Sequence, residues 1–224
     1  PGKPTTVEMD FDVNSTKPQM NAHISLNSQL AVDIEKQRYT LKNINFKTQA
    51  DGEAIPLPTL DLAITGDIDA DLSKQTVDLS GLLIQIQELA IESSINATQV
   101  LSDKPNFTGK LAIKPFNLRQ LAKQLAVELP AMADDSTLEL VQLTSSLSGS
   151  SNNIELSELA LKLDQSTLSG RLGIKQFNDP AINFKLALDE IDADRYMPPV
   201  AQFKRQFGYR QTKSKWYPQR YYSH

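Results

Sequence analysis

Two similar stretches decide the fold: Asn106-Phe-Thr-Gly-Lys-Leu-Ala-Ile-Lys-Pro-Phe-Asn117 and Ser166-Thr-Leu-Ser-Gly-Arg-Leu-Gly-Ile-Lys-Gln-Phe-Asn178. In each stretch, apolar residues alternate with polar ones around a glycine, Gly109 in the first and Gly170 in the second. A period of two is typical of a β-strand with one apolar face. Because a short amphipathic sheet cannot bury itself, the functional question is what lies against that face.

The same alternation recurs along the chain. It begins with Val7, Met9, Phe11 and Val13, which are separated by acidic residues. Further alternating stretches run over 20–26, 30–34, 60–64 and 182–188, with turn signals between them. The spacing predicts about twelve short strands and a mainly β architecture.

The repetition extends upstream of the two stretches. Repeat units over about 84–117 and 154–178 each read as a strand, a connection and a strand with an internal glycine. Such repetition predicts a sheet that grows by the addition of hairpins.

One principal helix is predicted within 115–127. Four apolar residues share one helical stripe, and Asn117 before them is a good N-cap. Pro130 is expected to end the helix at 128–130, because proline disfavours helical geometry in the residue before it. We interpret the helix as a crossover that packs on the sheet; the alternative is a lid over a ligand groove.

Composition excludes several classes of protein. The chain has 224 residues, no cysteine and a net charge of −4, and no acidic residue follows Asp194. Residues 1–194 are therefore strongly acidic, which argues against nucleic-acid binding by this region. The absence of cysteine excludes disulfides and thiolate chemistry. No apolar run is long enough to span a membrane, and no signal peptide is visible.

Two acidic stretches are candidates for a metal-binding site. Asp67, Asp69 and Asp71 have the spacing of a calcium loop, but Leu72 replaces the required glycine and Asp78 the closing glutamate. We interpret these aspartates as the polar face of a strand. The acidic run over 189–194 is interpreted as a solvated strand end and turn, so no metal site is predicted.

Catalytic motifs are equally scarce. The two histidines are His23, at a polar position of a strand, and His224 at the terminus, and neither a nucleophile elbow nor a phosphate-binding glycine loop occurs. We interpret His23 as a solvent-facing strand residue. The sequence thus predicts no catalytic residue and no cofactor.

The tail over 200–224 differs from the rest of the chain. From Phe203 onward, aromatic residues are interleaved with lysine and arginine. This composition suits an interface with anionic lipid or single-stranded nucleic acid, and the alternative is an extended terminal segment.

Three motifs carry a resemblance to a known family. A strand leads through an acidic turn into Asp194-Arg-Tyr-Met-Pro-Pro199, preceded by Leu168-Ser-Gly-Arg-Leu172 and by the helical Phe116-Asn-Leu-Arg-Gln-Leu121. With these motifs the chain resembles the C-terminal part of the AsmA family, bacterial envelope proteins related to TamB and the bridge-like lipid transporters. The resemblance is clearest over 107–199, and Met197 stands where the family usually has leucine.

The resemblance implies a periplasmic protein with an inner-membrane anchor upstream, and a role in phospholipid transport or outer-membrane assembly. It also implies a long, curved, largely antiparallel sheet that forms an open groove or half-barrel; the alternative is a β-sandwich. The expected organisation is a β-rich region over 1–199, followed by the tail. Phospholipid acyl chains are the expected partners, with envelope proteins as further candidates.

An apolar groove can shield acyl chains without any catalytic residue, because the hydrophobic effect is nondirectional. We predict that ten apolar residues line it. They are Phe107, Leu111, Ile113, Leu168, Leu172, Ile174, Ile182, Phe184, Leu186 and Leu188. The alternative for each is an ordinary core position. Two rival functions stay open: an envelope scaffold with a closed core, and a glycan-acting enzyme with paired carboxylates.

Overall fold

The computed structural model describes residues 2–53, 55 and 57–199. Eleven strands form one sheet in which each strand is hydrogen-bonded to its neighbours in sequence. The strands are β1 (Thr5–Thr16), β2 (Gln19–Asp33), β3 (Arg38–Gly52), β4 (Leu60–Asp71), β5 (Thr76–Ile86), β6 (Leu89–Thr98), β7 (Asn106–Phe116), β8 (Val141–Ser150), β9 (Asn153–Leu163), β10 (Ser166–Lys175) and β11 (Ala181–Leu188). The helices are α1 (Leu118–Gln124) and α2 (Ala193–Tyr196).

The expected fold class is confirmed: the protein is mainly β, and the sheet is antiparallel, curled and open. The β-sandwich alternative is wrong, because all eleven strands belong to one sheet. The predicted stretches 20–26 and 30–34 are one strand, β2, since no turn separates them. This accounts for eleven strands where about twelve were expected.

Both repeat units have the predicted order of strand, connection and strand. The first contains β6 and β7, and the second contains β9 and β10. In an antiparallel meander, odd and even strands run in opposite directions, so β7 and β10 are antiparallel to each other. The two copies thus share a strand pattern but not an orientation in the sheet.

The described chain divides into two compact units. The first comprises 2–129 and 136–191 and contains the sheet and α1. The second comprises 130–135 and 192–199 and contains α2. The predicted tail over 200–224 lies outside the described residues.

Asn117 caps helix α1, as predicted: its side-chain oxygen accepts a hydrogen bond from the Gln120 N–H at 2.8 Å. The predicted end of the helix at 128–130 is wrong. The chain turns earlier, where the Val127 N–H donates to the Ala122 carbonyl oxygen at 2.8 Å. Such a bond closes a Schellman-type turn, which ends a helix without proline.

Asp164 anchors the segment that follows α1. Its buried carboxylate accepts hydrogen bonds from the backbone N–H groups of Leu138 (2.8 Å), Glu139 (3.0 Å) and Leu140 (3.1 Å). Asp164 itself lies in the turn between β9 and β10. Its side chain therefore fixes the chain on its return to the sheet.

The acidic run over 189–194 begins as the predicted strand end and turn. Strand β11 ends at Leu188, and the Asp189 Oδ1 atom accepts a 2.7 Å hydrogen bond from the Thr167 N–H. This bond and a second one from the Glu190 N–H lower the pKa of Asp189. The Asp189 carboxylate therefore stabilises the turn by accepting these two backbone hydrogen bonds.

In the second unit, two distant segments are joined. The Arg195 Nε donates to the Asp134 Oδ2 at 2.7 Å, and the Asp134 N–H donates to the Arg195 carbonyl oxygen at 3.1 Å. The Ala133 N–H donates to the Met197 carbonyl oxygen at 2.8 Å. The Asp-Arg-Tyr-Met motif thus has a structural role in this unit.

Candidate functional site

The candidate site is one face of the sheet, which we call the apolar face. In antiparallel strands, residues directly opposite each other share a face. The register therefore traces rows across the sheet, and the first row is apolar in all eleven strands. It consists of Met9, Leu26, Phe46, Ile64, Ile84, Ile91, Ile113, Leu143, Leu161, Leu168 and Leu188.

We number the rows by their position along the strands; the second row is described below. The third and fourth rows are almost as uniformly apolar as the first. The third row, counted along the strands, is Thr5, Leu30, Leu41, Ile68, Leu79, Ile95, Gly109, Leu147, Leu156, Leu172 and Phe184. The fourth row is Val32, Tyr39, Ala70, Val77, Ala97, Phe107, Gly149, Ile154, Ile174 and Ile182. At about 4.8 Å per strand and about 3.3 Å per residue, the four rows cover an apolar surface of roughly 48 by 20 Å.

The second row lies between the first and third rows, and its side chains alternate between large and small from one strand to the next. Odd-numbered strands contribute large apolar residues: Val7, Ile44, Leu82, Leu111, Leu159 and Leu186. Even-numbered strands contribute only Ser28, Gly66, Ser93, Ser145 and Gly170. A small residue beside each large one lets the side chains interdigitate as the sheet curls, so this row forms the line along which the face can bend.

Three of the four β-bulges in the described strands lie on this same row; the fourth, in β7, lies between Ile113 and Phe116. Strands β3, β5 and β9 each carry one extra residue, and their backbones have positive φ at Asn43 (54°), Gly81 (61°) and Glu158 (52°). A bulge bends its strand and increases the local twist. Three bulges on one row therefore concentrate the curvature of the sheet there.

Among the described residues, no second layer of strands covers the apolar face. Interior members of the rows are half-buried, because side chains on the inner face of a curled sheet converge and shield one another. At the β11 edge the side chains stay exposed, to 70% for Phe184 and 62% for Ile182. Met9 on β1 is 49% exposed. The apolar face is thus solvent-accessible, most of all at its edges.

The ten predicted groove residues all lie on this face, in strands β7, β10 and β11. Leu168, Leu172 and Ile174 on β10 lie directly opposite Leu188, Phe184 and Ile182 on β11. Ile113 on β7 joins them through the first row. The structure therefore brings these residues together; their binding of lipid stays a prediction.

Sequence reasoning left out the equivalent positions of the other eight strands. The alternation over 7–13, 20–26 and 60–64 predicts strands there, and these strands continue the same rows. The alternation thus located these strands and their apolar residues. Alternation alone does not tell which strands place their apolar residues on the same face of the sheet.

The opposite, polar face is held by cross-strand pairs. Lys42 Nζ lies 3.5 Å from Asp67 Oδ2, and Arg38 Nε lies 3.4 Å from Asp69 Oδ1. This confirms that Asp67 and Asp69 occupy the polar face of a strand. Within the described ranges, no group of three acidic or histidine side chains is arranged to hold a metal ion.

His23 also lies on the polar face. Its Nδ1 is 3.0 Å from Asp12 Oδ1, and its Nε2 is 3.7 Å from Asp10 Oδ2. The hydrogen bond to Asp12, followed by the charge of Asp10, raises the pKa of His23 above its usual 6.5. The side chain is half exposed, which confirms the interpretation of His23 as a solvent-facing strand residue.

Comparisons with protein-family models, curated proteins and solved structures found no match to this chain. In the part of the chain that the structure describes, neither helix is long and apolar enough to cross a bilayer.

Proposed function

We propose that the apolar face binds phospholipid acyl chains and that the chain is a noncatalytic, AsmA-like part of a lipid-conducting groove. The observation that carries this proposal is the first row, which is apolar in every one of eleven strands, on a face that no second layer of strands covers within the described ranges. A large exposed apolar patch marks a binding surface, because water contact with it is costly.

The chemistry of the surface suits acyl chains. Burial of each methylene group stabilises a complex by about 0.8 kcal/mol, and this attraction has no preferred direction. The first row, which is mainly isoleucine and leucine and runs across all eleven strands, offers no polar side chain to interrupt a sliding acyl chain. We therefore propose transport along the rows, from one edge strand towards the other.

The setting that we propose is the bacterial cell envelope. The motif over 194–199 and the apolar face together support an AsmA-like, periplasmic protein that is anchored to the inner membrane through a segment outside this sequence. Its contribution would be to phospholipid transport or outer-membrane assembly. Envelope proteins are further candidate partners.

The decisive experiment is extraction of bound lipid. The protein is purified from a bacterial host under mild conditions, and bound phospholipid is quantified by mass spectrometry beside a soluble β protein of similar size. We expect phospholipid in stoichiometric amounts. Absence of lipid above the control would refute the proposal and favour a scaffold role.

A matched pair of variants locates the site. Phe184→Asp places a charge on the apolar face at an exposed position, and we expect acyl-chain binding to weaken about tenfold or more. Ala187→Asp introduces the same charge on the opposite face of the same strand, outside any residue proposed to bind lipid. If both variants bind lipid alike, the apolar face is not the binding surface.

A further inference from the structure

A cleft of about 460 Å³ lies on the polar side of strands β9, β10 and β11. Its polar lining includes Arg171, Lys175, Asn183 and Glu155, and Ile154, Ile182 and Phe184 also contribute to its wall. Gly173 lies between the two basic residues on β10 and adds no side chain of its own to the cleft. The Glu155 Cγ atom lies 3.8 Å from the position that a Cβ of residue 173 would take. The cleft therefore has a cationic side chain on either side of Gly173 and the Glu155 side chain beside it.

The charge of the cleft is unbalanced. Arg171 lies directly opposite Lys185 on the neighbouring strand, and like charges in that position repel. Within the described residues, no acidic side chain lies within the 4.0 Å ion-pair distance of Arg171, Lys175 or Lys185. Glu155, opposite Gly173, is the acidic residue of the cleft. The positive charges thus outnumber the negative one.

This arrangement differs from the ion-paired positions of the polar face. There, Arg38 lies beside Asp69, Lys42 beside Asp67, and the Lys114 Nζ lies 2.8 Å from Glu92 Oε2. A cross-strand pair of cations destabilises the sheet unless an anion lies between them. An external anion would supply the negative charge that no side chain of the described residues places between Arg171 and Lys185.

The backbone does not require the glycine of the cleft. A Cβ atom at Gly173 would meet its nearest neighbour, the Ile154 carbonyl oxygen, at 3.5 Å, which is an ordinary contact. At Gly170 on the same strand, a Cβ would overlap the Lys185 carbonyl oxygen. Gly173 therefore leaves space for a ligand at a position where a side chain would fit.

We propose that this cleft binds a phosphate group. Arginine recognises phosphate oxygens through paired N–H donors, and lysine adds a point charge. Arg171 and Lys175 would hold the oxygens from two sides, Asn183 would add an amide donor, and Lys185 would add charge.

Two sources fit this chemistry. One is a soluble phosphate ester. The other is a phospholipid headgroup whose acyl chains lie over the exposed side chains of β11 on the apolar face. Only this second source rests on the proposed function.

The test titrates the whole chain with glycerol 3-phosphate at constant ionic strength and follows backbone amides by NMR. We expect saturable shifts centred on Gly173 and Asn183. Arg171→Glu should weaken binding about tenfold or more, since hydrogen bonds to charged groups are strong. Lys110→Glu, on the polar face of β7, is the control and should leave binding unchanged.

Gly173→Thr distinguishes specific phosphate binding in the cleft from nonspecific electrostatic attraction to the basic residues. The variant keeps every charge and fills the centre of the cleft, so we expect binding to be lost. Gly173→Ala is the milder form if the threonine variant does not fold. Unsaturable shifts, or undiminished binding by a folded filled variant, would overturn the proposal.

A short-chain phosphatidylglycerol, used below its micelle concentration, then identifies the source. Binding about tenfold tighter than that of glycerol 3-phosphate, with the gain removed by Leu188→Asn, would assign the site to a lipid headgroup. Equal affinities would assign it to a soluble phosphate ester. Glycerol 3-phosphate binding by a protein that holds no lipid would refute the proposed function and leave this site intact.

Discussion

The Ser28 Oγ atom donates a 2.9 Å hydrogen bond to the carbonyl oxygen of Lys42, the residue that precedes the positive-φ position of the β3 bulge. The same relationship recurs at β9, where the Ser145 Oγ donates to the Ser157 carbonyl oxygen, also at 2.9 Å. A bulge disrupts the regular ladder locally. In both cases a buried serine on the preceding strand provides the carbonyl with a donor, so a hydroxyl supports the bend.

Ser28→Ala should destabilise the sheet by about 1–3 kcal/mol. The side chain is fully buried, and its removal leaves the Lys42 carbonyl oxygen without this donor. Urea denaturation measures the change in the free energy of unfolding. Ser25→Ala, on the polar face of the same strand, is the matched control; equal effects of the two substitutions would contradict a special role for Ser28.

Gly170→Ala should destabilise the protein by about 2–3 kcal/mol, whereas Gly173→Ala should be tolerated. Gly170 has a φ of +140°, and an added Cβ would overlap the Lys185 carbonyl oxygen of β11. Hydrogen exchange of the β11 amides reports on the local pairing. Unchanged protection in Gly170→Ala would show that β11 shifts without cost.

The pairing of His23 with Asp12 and Asp10 should make the attachment of β1 depend on pH. Because the folded-state pKa is raised above 6.5, the stabilisation is complete below pH 6.5 and is lost as the pH rises through the raised pKa. An NMR titration of the imidazole measures that pKa. In Asp12→Asn it should fall back towards 6.5, and an unchanged value would exclude the hydrogen bond as its main cause.

Asp71 should resist protonation in the folded state. The Ser73 hydroxyl donates to its Oδ1 at 2.6 Å, and Lys74 adds a backbone hydrogen bond and a charge, which together lower the pKa to about 2. The stabilisation is therefore present above pH 3.8 and is lost as the pH falls towards 2. A carboxyl NMR titration tests this. Ser73→Ala should raise the pKa towards 3.8, and no change would assign the shift to Lys74 alone.

Local features were predictable from the sequence. Alternation located strands such as β1 and β11, and Asn117 marked the start of α1, because both signals act within a few residues. The end of α1 was missed, since Ala126 takes a positive φ of 51° in the closing turn and nothing in its residue type indicates this.

The register was not predictable, because a bulge exists only relative to the strand beside it. Leu79 and Ile84 are five positions apart and would lie on opposite faces of a regular strand. The extra residue at Gly81 places both on the apolar face. The rows of the candidate site therefore emerge only when the strands are paired.

One missed signal was available. The turns between β2 and β3 and between β4 and β5 share an Asp-x-x-Lys-Gln motif. Asp33 accepts a 3.1 Å hydrogen bond from the Lys36 N–H, and Asp71 accepts one of the same length from the Lys74 N–H. The glutamines have positive φ in both turns, at 51° and 56°. This repeat would have revealed that the structural unit is a pair of strands.

Pairing only between neighbours in sequence has a consequence for how such a protein can change in length. A gain or loss of two adjacent strands keeps both the alternation of large and small residues in the second row and the direction of every later strand. A gain or loss of one strand reverses all later strands and brings two large or two small residues together. We therefore expect natural length variants of this sheet to differ by whole pairs of strands, with the unpaired edges as the points of growth.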